Sequence, residues 1–136
     1  MPDADIARLT DRFMRQIQSR LNRAAPQFDR FHVGPGGGMM LMTLAEIAPA
    51  RLHQLVEQMA RDKSQITRQV KVLEGKGLIT RAPDPDDARG WVLSLSPLGE
   101  TFVAELEHAV ADALSNVLAP LSPQDTETLR NLLARL

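Results

Sequence analysis

The sequence contains no cysteine and no tyrosine, and aromatic residues make up only 4% of its 136 positions. The absence of cysteine excludes disulfides, thiolate metal sites, cysteine nucleophiles and sensing by thiol oxidation. No apolar run reaches the roughly 18–20 residues that a membrane-spanning helix needs. The N-terminus also lacks the basic and then apolar pattern of a secretion signal. These absences predict a cytoplasmic protein with no membrane partner.

Clusters of catalytic or metal-binding residues are missing as well. The three histidines, His32, His53 and His108, are dispersed along the chain, and no two of them have the short spacing of metal ligands. The acidic group within Asp84–Asp87 belongs to a polar turn, not to a predicted cleft with a nucleophile and a base. We therefore expect no enzymatic activity, no metal and no cofactor.

Charge is distributed unevenly along the chain, although the formal net charge is only −1. Between Arg61 and Arg81 there are six basic residues and two acidic ones, whereas from Gly99 to Leu136 there are six acidic residues and two basic ones. A basic middle followed by an acidic end indicates that a polyanion such as nucleic acid contacts one side of the molecule.

Helical spacing of apolar residues predicts most of the secondary structure. A first helix of about 20 residues is expected to end at Pro26, and the stretch HVGPGGG that follows it is predicted to be a flexible loop. Short helices are predicted at Met39–Ala48 and around Leu52–Met59. The apolar stripe of the first helix consists of Ile6, Leu9, Phe13, Ile17 and Leu21.

A further helix is predicted to begin near Lys63, because Asp62 followed by Gln65 has the spacing of a capping box. Its buried stripe should be Ile66, Val70 and Leu73, and Gly77 should end it in a left-handed conformation. A different face carries only hydroxyl and cationic side chains, from Ser64, Thr67, Arg68 and Lys71. The candidate DNA-binding residues of this helix are Lys63, Ser64, Gln65, Thr67, Arg68 and Lys71.

Two short helices, the second with a basic outer face, meet the requirements of a helix-turn-helix, in which the second helix enters the major groove. Arg68 can donate two hydrogen bonds to guanine, and Gln65 can pair with adenine. Ser64 and Thr67 can contact a base or a phosphate, while Lys63 and Lys71 suit phosphates. The alternative is an ordinary solvated helix face.

A β-hairpin is predicted directly after this helix, with LITRA and WVLSLS as strands and PDPDDARG as a long tip. Trp91, Leu93 and Leu95 should form its buried face. A hairpin in this position is a wing, whose Arg89 can enter the narrow minor groove beside the helix. Asp86 or Asp87 can hold the Arg89 guanidinium in a salt bridge. The alternative is an acidic turn with an incidental arginine.

Two helices complete the chain. Ser96-Pro97 should start a long helix with Phe102, Leu106, Val110, Leu114 and Val117 facing inward, and Pro120 should end it. Ser122 should cap the last helix, which carries Leu129, Leu132, Leu133 and Leu136. One small domain is too small to cover the apolar stripes of the terminal helices, so we expect a homodimer.

The segment LHQLVEQMARDKSQITRQVKVLEGKGLITRAPDPDDARGWVLSLSPLGE resembles the core of the MarR family of winged helix-turn-helix transcription regulators. The matching motifs are Ser64-Gln65-Ile66-Thr67-Arg68 at the start of the recognition helix and Asp87-Ala88-Arg89 in the wing. A third is Leu95-Ser96-Pro97-Leu98-Gly99, where serine replaces the usual threonine. Gly75 departs from the family pattern, which has a polar or charged residue there.

The resemblance implies a mostly α-helical protein with a small β-hairpin. Residues 1–30 would be an N-terminal dimerisation helix, residues 38–97 the winged helix-turn-helix domain, and residues 98–136 the C-terminal dimerisation helices. Such a homodimer would bind double-stranded DNA at a palindromic operator, as a ligand-responsive repressor. Family effectors, often aromatic acids, bind between the dimerisation helices and the winged domain.

Arg51, near the start of the helix before the recognition helix, is a further candidate phosphate contact. The competing hypothesis for the whole chain is a winged-helix module that binds a protein partner and no DNA. Such an interface would not require the cationic face of Arg68 and Lys71 together with Arg89.

Overall fold

The computed structural model describes all 136 residues and contains six helices and one two-stranded antiparallel hairpin, which confirms the predicted fold class. No helix combines the length and the apolar character needed to cross a membrane. The elements, in chain order, are α1 (Ala4–Phe28), α2 (Gly34–Ile47), α3 (Leu52–Met59), α4 (Lys63–Gly75), β1 (Ile79–Asp84), β2 (Asp87–Leu95), α5 (Pro97–Val117) and α6 (Pro123–Leu133).

The chain divides into two compact units. The terminal unit comprises Met1–Phe28 and His108–Leu136, and the central unit comprises Asp29–Glu107. The central unit includes the loop before α2 and the first half of α5. Helix α5 contributes residues to both units.

In the terminal unit, α1 is present as predicted but continues two residues beyond Pro26, so the prediction that proline ends it is wrong. Pro26 lies in the last turn, where a missing N–H removes a single helical hydrogen bond and interrupts no further turn. Helices α5 and α6 meet the prediction more closely: α5 ends before Pro120, and the Ser122 hydroxyl caps α6 by accepting from the Asp125 N–H at 3.0 Å.

The apolar stripes of the terminal helices remain largely uncovered. Ile6 and Leu9 of α1 are 61% and 49% exposed, and Leu132 and Leu133 of α6 are each 50% exposed. Neither helix contains a buried residue. Contiguous exposed apolar surface of this kind marks an interaction surface.

In the central unit, α2 begins at Gly34, so the flexible loop predicted for HVGPGGG is wrong for the last five of its seven residues. The Asp29 carboxylate accepts hydrogen bonds from the N–H groups of Val33 and Gly34, at 2.9 and 3.1 Å, and so satisfies donors at the start of the helix. The glycines also permit close packing: a Cβ on Gly38 would lie 3.1 Å from the Leu106 side chain. Close packing of this glycine-rich backbone against Leu106 therefore favours a helix, although the composition of the segment favours a loop.

The core of the central unit lies among α2, α3, α4, the hairpin and the start of α5. Its largest fully buried side chains are Phe102, Met40, Leu41, Leu44, Leu55, Ile66, Leu73 and Leu78. The predicted stripe of α4 is confirmed, because Ile66, Val70 and Leu73 are no more than 2% exposed. Each such side chain contributes about 1.5–3 kcal/mol through burial, which fixes the face of α4 that is left outside.

The hairpin has a shorter tip than predicted. Asp84 pairs with Asp87, so only Pro85 and Asp86 lie between the strands. The register shifts after Pro83, which pairs with Trp91, and the intervening residues of β2 are accommodated as a bulge.

The predicted buried face of β2 is only partly correct. Leu93 is 3% exposed, but Trp91 is 50% exposed and lies nearer the tip, where the core does not reach it. The Arg81 guanidinium carbon instead lies 5.9 Å from the centre of the indole ring. Ala50, between α2 and α3, forms an antiparallel bridge with Leu93 through backbone hydrogen bonds of 3.0 and 2.7 Å.

The start of α5 is joined tightly to the end of α4. The Ser96 hydroxyl accepts a hydrogen bond from the Gly99 N–H at 2.9 Å and donates one to the Gly77 carbonyl at 2.5 Å. A Cβ on Gly99 would lie 2.1 Å from the Leu78 carbonyl oxygen, so only glycine fits there. These contacts fix the position of the connection between α4 and β1 relative to the start of α5.

Candidate nucleic-acid interface

Helix α4 begins at Lys63, as the sequence predicts, because Asp62 caps it. The Asp62 carboxylate accepts hydrogen bonds from the Ser64 hydroxyl and, at 3.1 Å, from the Ser64 N–H. The bond from the Ser64 hydroxyl, followed by the backbone bonds from Ser64 and Gln65 and the charge of Arg68, lowers the pKa of Asp62, against a smaller raising effect of desolvation. The carboxylate therefore stays ionised at the positive end of the helix.

The outer face of α4 is exposed as predicted. Lys63, Ser64, Gln65, Arg68 and Lys71 are all exposed on the same helix that buries the core stripe. Thr67 differs, because it is half-buried and its hydroxyl donates to the Lys63 carbonyl at 2.8 Å. Its oxygen can still accept a hydrogen bond, but its proton is already used within the helix.

The C-terminal end of α4 is also built as the sequence predicts. Gly77 has φ = +78°, and its N–H donates to the Glu74 carbonyl at 2.9 Å, while the Leu78 N–H donates to the Leu73 carbonyl at 3.0 Å. This pair of bonds is a Schellman motif. The Lys76 ammonium binds the Phe31 carbonyl, so it is held within the protein.

Arg89 lies on β2 beside the hairpin tip and is exposed, but the predicted salt bridge to Asp86 or Asp87 is wrong. The Asp87 carboxylate instead accepts from the backbone N–H of Arg89 at 2.9 Å, and Asp86 pairs with Arg51 at 3.3 Å. The two aspartates are thus used in the tip itself, and the Arg89 guanidinium has no carboxylate within 4 Å.

Arg51 is the cation that neutralises the acidic tip. Its Nε donates to Asp84 Oδ2 at 2.5 Å, and one terminal nitrogen donates to Asp84 Oδ1 at 3.1 Å and to Asp86. We call this arrangement of Arg51, Asp84 and Asp86 the wing clamp. The guanidinium is engaged by two carboxylates, and the predicted contact of Arg51 with a phosphate stays a prediction.

Asp84 is the residue that sequence reasoning missed. Its side chain is only 1% exposed, and besides Arg51 it accepts a hydrogen bond from the Asp86 N–H at 2.9 Å. The hydrogen bond from Arg51, and after it the bond from Asp86, lowers the pKa of Asp84. A buried carboxylate in a turn requires a cation, and the sequence offered Arg51 only 33 residues earlier.

Replacing Asp84 with asparagine is expected to destabilise the protein at neutral pH and to destabilise it less as the pH falls below 3.8. Since the pKa of Asp84 is lowered from 3.8 in the folded protein, its ionised form stabilises the fold above that pH, and this contribution is lost as the pH falls through the lowered pKa. Urea unfolding between pH 7 and pH 3, with Glu57→Gln as the control, measures the difference. If the Asp84 variant and the unchanged protein differed in unfolding free energy by the same amount at pH 7 and at pH 3, the stabilising role of the ionised Asp84 would be contradicted.

The cations of the proposed interface share one property: none has a carboxylate within 4 Å. They are Lys63, Arg68, Lys71 and Arg89. The remaining cations of the central unit are engaged: Arg30 by Glu105, Arg51 by Asp84, Arg81 by Glu74, Lys76 by backbone carbonyls and Arg61 by the Met39 sulfur at 3.8 Å. Arg61 and Lys76 also lack a carboxylate within 4 Å but are bound by other protein atoms, so the cations with no protein partner lie on α4 and beside the hairpin tip.

Helices α3 and α4 followed directly by the β1–β2 hairpin define a winged helix-turn-helix protein, with α4 as the recognition helix and the hairpin as the wing. The MarR family model matches residues 38–90. An uncharacterized HTH-type transcriptional regulator of Bacillus subtilis (strain 168), YxaD, is 32% identical over 98 residues, which cover 72% of this chain and 68% of YxaD. The chain belongs to the MarR family of transcriptional regulators.

Solved structures agree with this assignment. A probable transcriptional regulator from Pseudomonas aeruginosa is 36% identical, with a TM-score of 0.66 over 90% of this chain and 92% of that chain. A variant of MarR from E. coli, solved in complex with operator DNA, has a TM-score of 0.74 at 21% identity, over 96% of this chain and 92% of that chain. The second similarity shows that the fold is shared.

Proposed function

We propose that this chain is a sequence-specific regulator that binds double-stranded DNA as a homodimer at a palindromic operator and acts as a ligand-responsive repressor. The observation that carries the proposal is the exposed, unpaired positive charge of Lys63, Arg68, Lys71 and Arg89. Phosphates are the partner that such a surface fits, since neutralising them releases counterions and drives binding.

Helix α4 would read the major groove. Arg68 is exposed and unpaired, so it can form two parallel hydrogen bonds with guanine, and Gln65 beside it can do the same with adenine. Ser64 lies in the first turn, where its N–H and hydroxyl both donate to Asp62, so only its hydroxyl oxygen is left to accept a hydrogen bond. Lys63 and Lys71 would contact phosphates on either side, and Thr67 would serve mainly as an acceptor.

Arg89 would enter the minor groove beside the recognition helix. Its guanidinium carries no ion pair that would have to be broken first, whereas Asp84 and Asp86 near it are neutralised by Arg51. The wing clamp thereby reduces the repulsion between the acidic tip and the DNA backbone. In this proposal Arg51 acts by positioning the wing.

The proposed homodimer is supported by the uncovered apolar stripes of α1 and α6, which include Ile6, Leu9, Leu132 and Leu133. A two-fold axis would present two wings and two recognition helices to two half-sites, which matches a palindromic operator. The operator complex of the E. coli MarR variant supports DNA as the partner.

A small-molecule effector is supported by a cavity of about 390 Å³ in the central unit, which lies within the size range of ligand sites. Its walls come from the end of α2, from β2 and from α5, and they include Pro49, Leu95 and Val103. An occupant there would contact both the hairpin and the helix that supports it.

The second candidate function is a winged-helix module that binds a protein. The exposed Trp91 on the wing favours it, because exposed aromatic residues are common at protein interfaces. The two functions differ in their salt dependence. Only for binding to a polyanion should the logarithm of the binding constant fall linearly with the logarithm of the salt concentration.

The decisive experiment measures binding to the DNA upstream of the gene between 50 and 200 mM salt, by anisotropy of labelled DNA. If the dimer contacts about six or more phosphates, its affinity for DNA should fall by a factor of about 10³ or more across this range. Because Trp91 is the only tryptophan and there is no tyrosine, its fluorescence reports engagement of the wing in the same titration.

Replacing Arg89 with alanine should weaken binding chiefly at the A·T-rich positions that flank the site, and should lower the magnitude of the salt slope by about 1 per protomer. Arg130→Ala, in an exposed pair of α6, is the matched control and should leave the slope unchanged. Binding that is absent or independent of salt would favour the protein-binding module.

A further inference from the structure

Arg61 lies in the turn between α3 and α4, immediately before the recognition helix. Its side chain is exposed, and it forms no salt bridge with a carboxylate. The hydrogen bond that it makes within the protein is weak, because one terminal nitrogen lies 3.8 Å from Met39 Sδ and a thioether sulfur is a weak acceptor. A guanidinium carries several N–H donors, so most of those of Arg61 are free to bind another group.

The side chains of Arg61 and Gln69 meet beside the glycine-rich start of α2. A Cβ on Gly36 would lie 3.3 Å from the second terminal nitrogen of Arg61 and 3.2 Å from Gln69 Nε2. The two side chains therefore converge on one point, and the glycine leaves the space that they occupy. Two backbone N–H groups at this helix start already donate to Asp29. The donors on offer there are thus the guanidinium and the amide.

Gln69 and the wing lie on opposite flanks of α4. At about 100° per residue, Gln69 lies on one flank of the helix, Glu74 lies on the other, and Arg68 faces outward between them. The wing is on the Glu74 flank, because Arg81 Nε of β1 donates to Glu74 Oε2 at 2.8 Å. Arg61, which meets Gln69, therefore lies across the recognition helix from the wing.

The two flanks of a recognition helix face different DNA backbones. A helix about 10–12 Å across with its side chains fills a major groove about 12 Å wide, so each flank meets one of the two sugar-phosphate walls. We propose that Arg61 and Gln69 bind a phosphate of the DNA backbone across the major groove from the wing, an inference that rests on the proposed DNA binding by α4. Arg61 supplies the charge, and Gln69 supplies a neutral N–H donor.

The salt dependence of operator binding measures the charge of this contact. R61Q should lower the magnitude of the salt slope by about 0.9 per protomer and should weaken binding to every operator sequence by the same factor. R61K keeps the charge and should restore most of the slope. R30Q makes the same change of charge in the central unit, at an arginine that pairs with Glu105, and should leave the slope unchanged.

Operators that carry one neutral methylphosphonate at a time locate the phosphate. The unchanged protein should bind about tenfold or more weakly when the phosphate facing Arg61 is neutralised in each half-site, since hydrogen bonds between charged groups are the strong ones. R61Q should no longer respond at this position, and Q69A should respond less, whereas R89A should respond as fully as the unchanged protein. Such a cycle isolates the contact between the side chain and the phosphate.

Met39→Leu distinguishes phosphate binding from a structural role of Arg61, because it removes the sulfur contact and keeps the guanidinium. It should leave the slope unchanged, and a loss equal to that of R61Q would overturn the inference. Equal slopes for R61Q and R30Q, on DNA that the unchanged protein binds with a steep salt dependence, would also overturn it and would leave the proposed function intact. Failure of the unchanged protein to bind DNA at all would overturn both.

Discussion

Replacing Arg68 with alanine is expected to lower the affinity for operator DNA by about 5- to 150-fold, which corresponds to the 1–3 kcal/mol of a two-bond contact with guanine. The guanidinium is exposed on α4 and has no carboxylate partner, so its removal breaks no ion pair within the protein. The fold should therefore be unaffected, and the loss should appear in DNA binding alone.

The diagnostic feature of this loss is its dependence on sequence. Arg68→Ala should relax the preference at one base pair of each half-site, whereas Lys71→Ala should weaken binding uniformly across sequences. Titrations of both variants against operators changed one base pair at a time measure this contrast. An equal loss on every DNA by both variants would assign Arg68 to a phosphate.

Replacing Gly99 with alanine is expected to destabilise the protein by about 3 kcal/mol, near the upper end of the usual cost of overpacking. The added Cβ would lie 2.1 Å from the carbonyl oxygen of Leu78 and 3.1 Å from its carbonyl carbon. These are backbone atoms, which cannot rotate away as a side chain can. The start of α5 or the end of α4 must therefore shift.

Gly75→Ala provides the matched control for this substitution. Gly75 lies at the end of α4, where an added methyl group would meet no atom within 4 Å, and alanine favours the helix by up to about 1 kcal/mol. Urea unfolding followed by Trp91 fluorescence compares the two variants. A small effect of Gly99→Ala would show that the contact between α5 and Leu78 is not tight in solution.

The sequence predicts the elements of the central unit well where a local pattern determines them. The apolar stripe of α4, its Asp62 cap and its Gly77 ending are each set by residues within one or two turns, and all are confirmed. The start of α2 is missed, because four glycines favour a loop locally and only contacts with distant residues such as Leu106 select the helix. Pro26 is similar, since its effect depends on its position in the last turn.

The candidate interface is predicted less completely than the fold. Exposure of the α4 residues follows from the helical period, so Lys63, Arg68 and Lys71 are placed correctly on its outer face. The cation that pairs with the acidic tip is not predicted correctly. Arg51 reaches Asp84 across 33 positions of sequence, whereas local spacing favours Arg89. Which of several cations meets a buried carboxylate depends on tertiary packing, about which a single sequence carries no pattern.

The bridge between Ala50 and Leu93 makes the turn after α2 a third, one-residue strand of the wing sheet. Together with the Arg51 contacts to Asp84, it fastens this turn to both the middle and the tip of the hairpin. A molecule that displaces the end of α2 must therefore carry the wing with it or break these bonds. The spacing between Arg89 and the recognition helix would then change with no effector touching either of them.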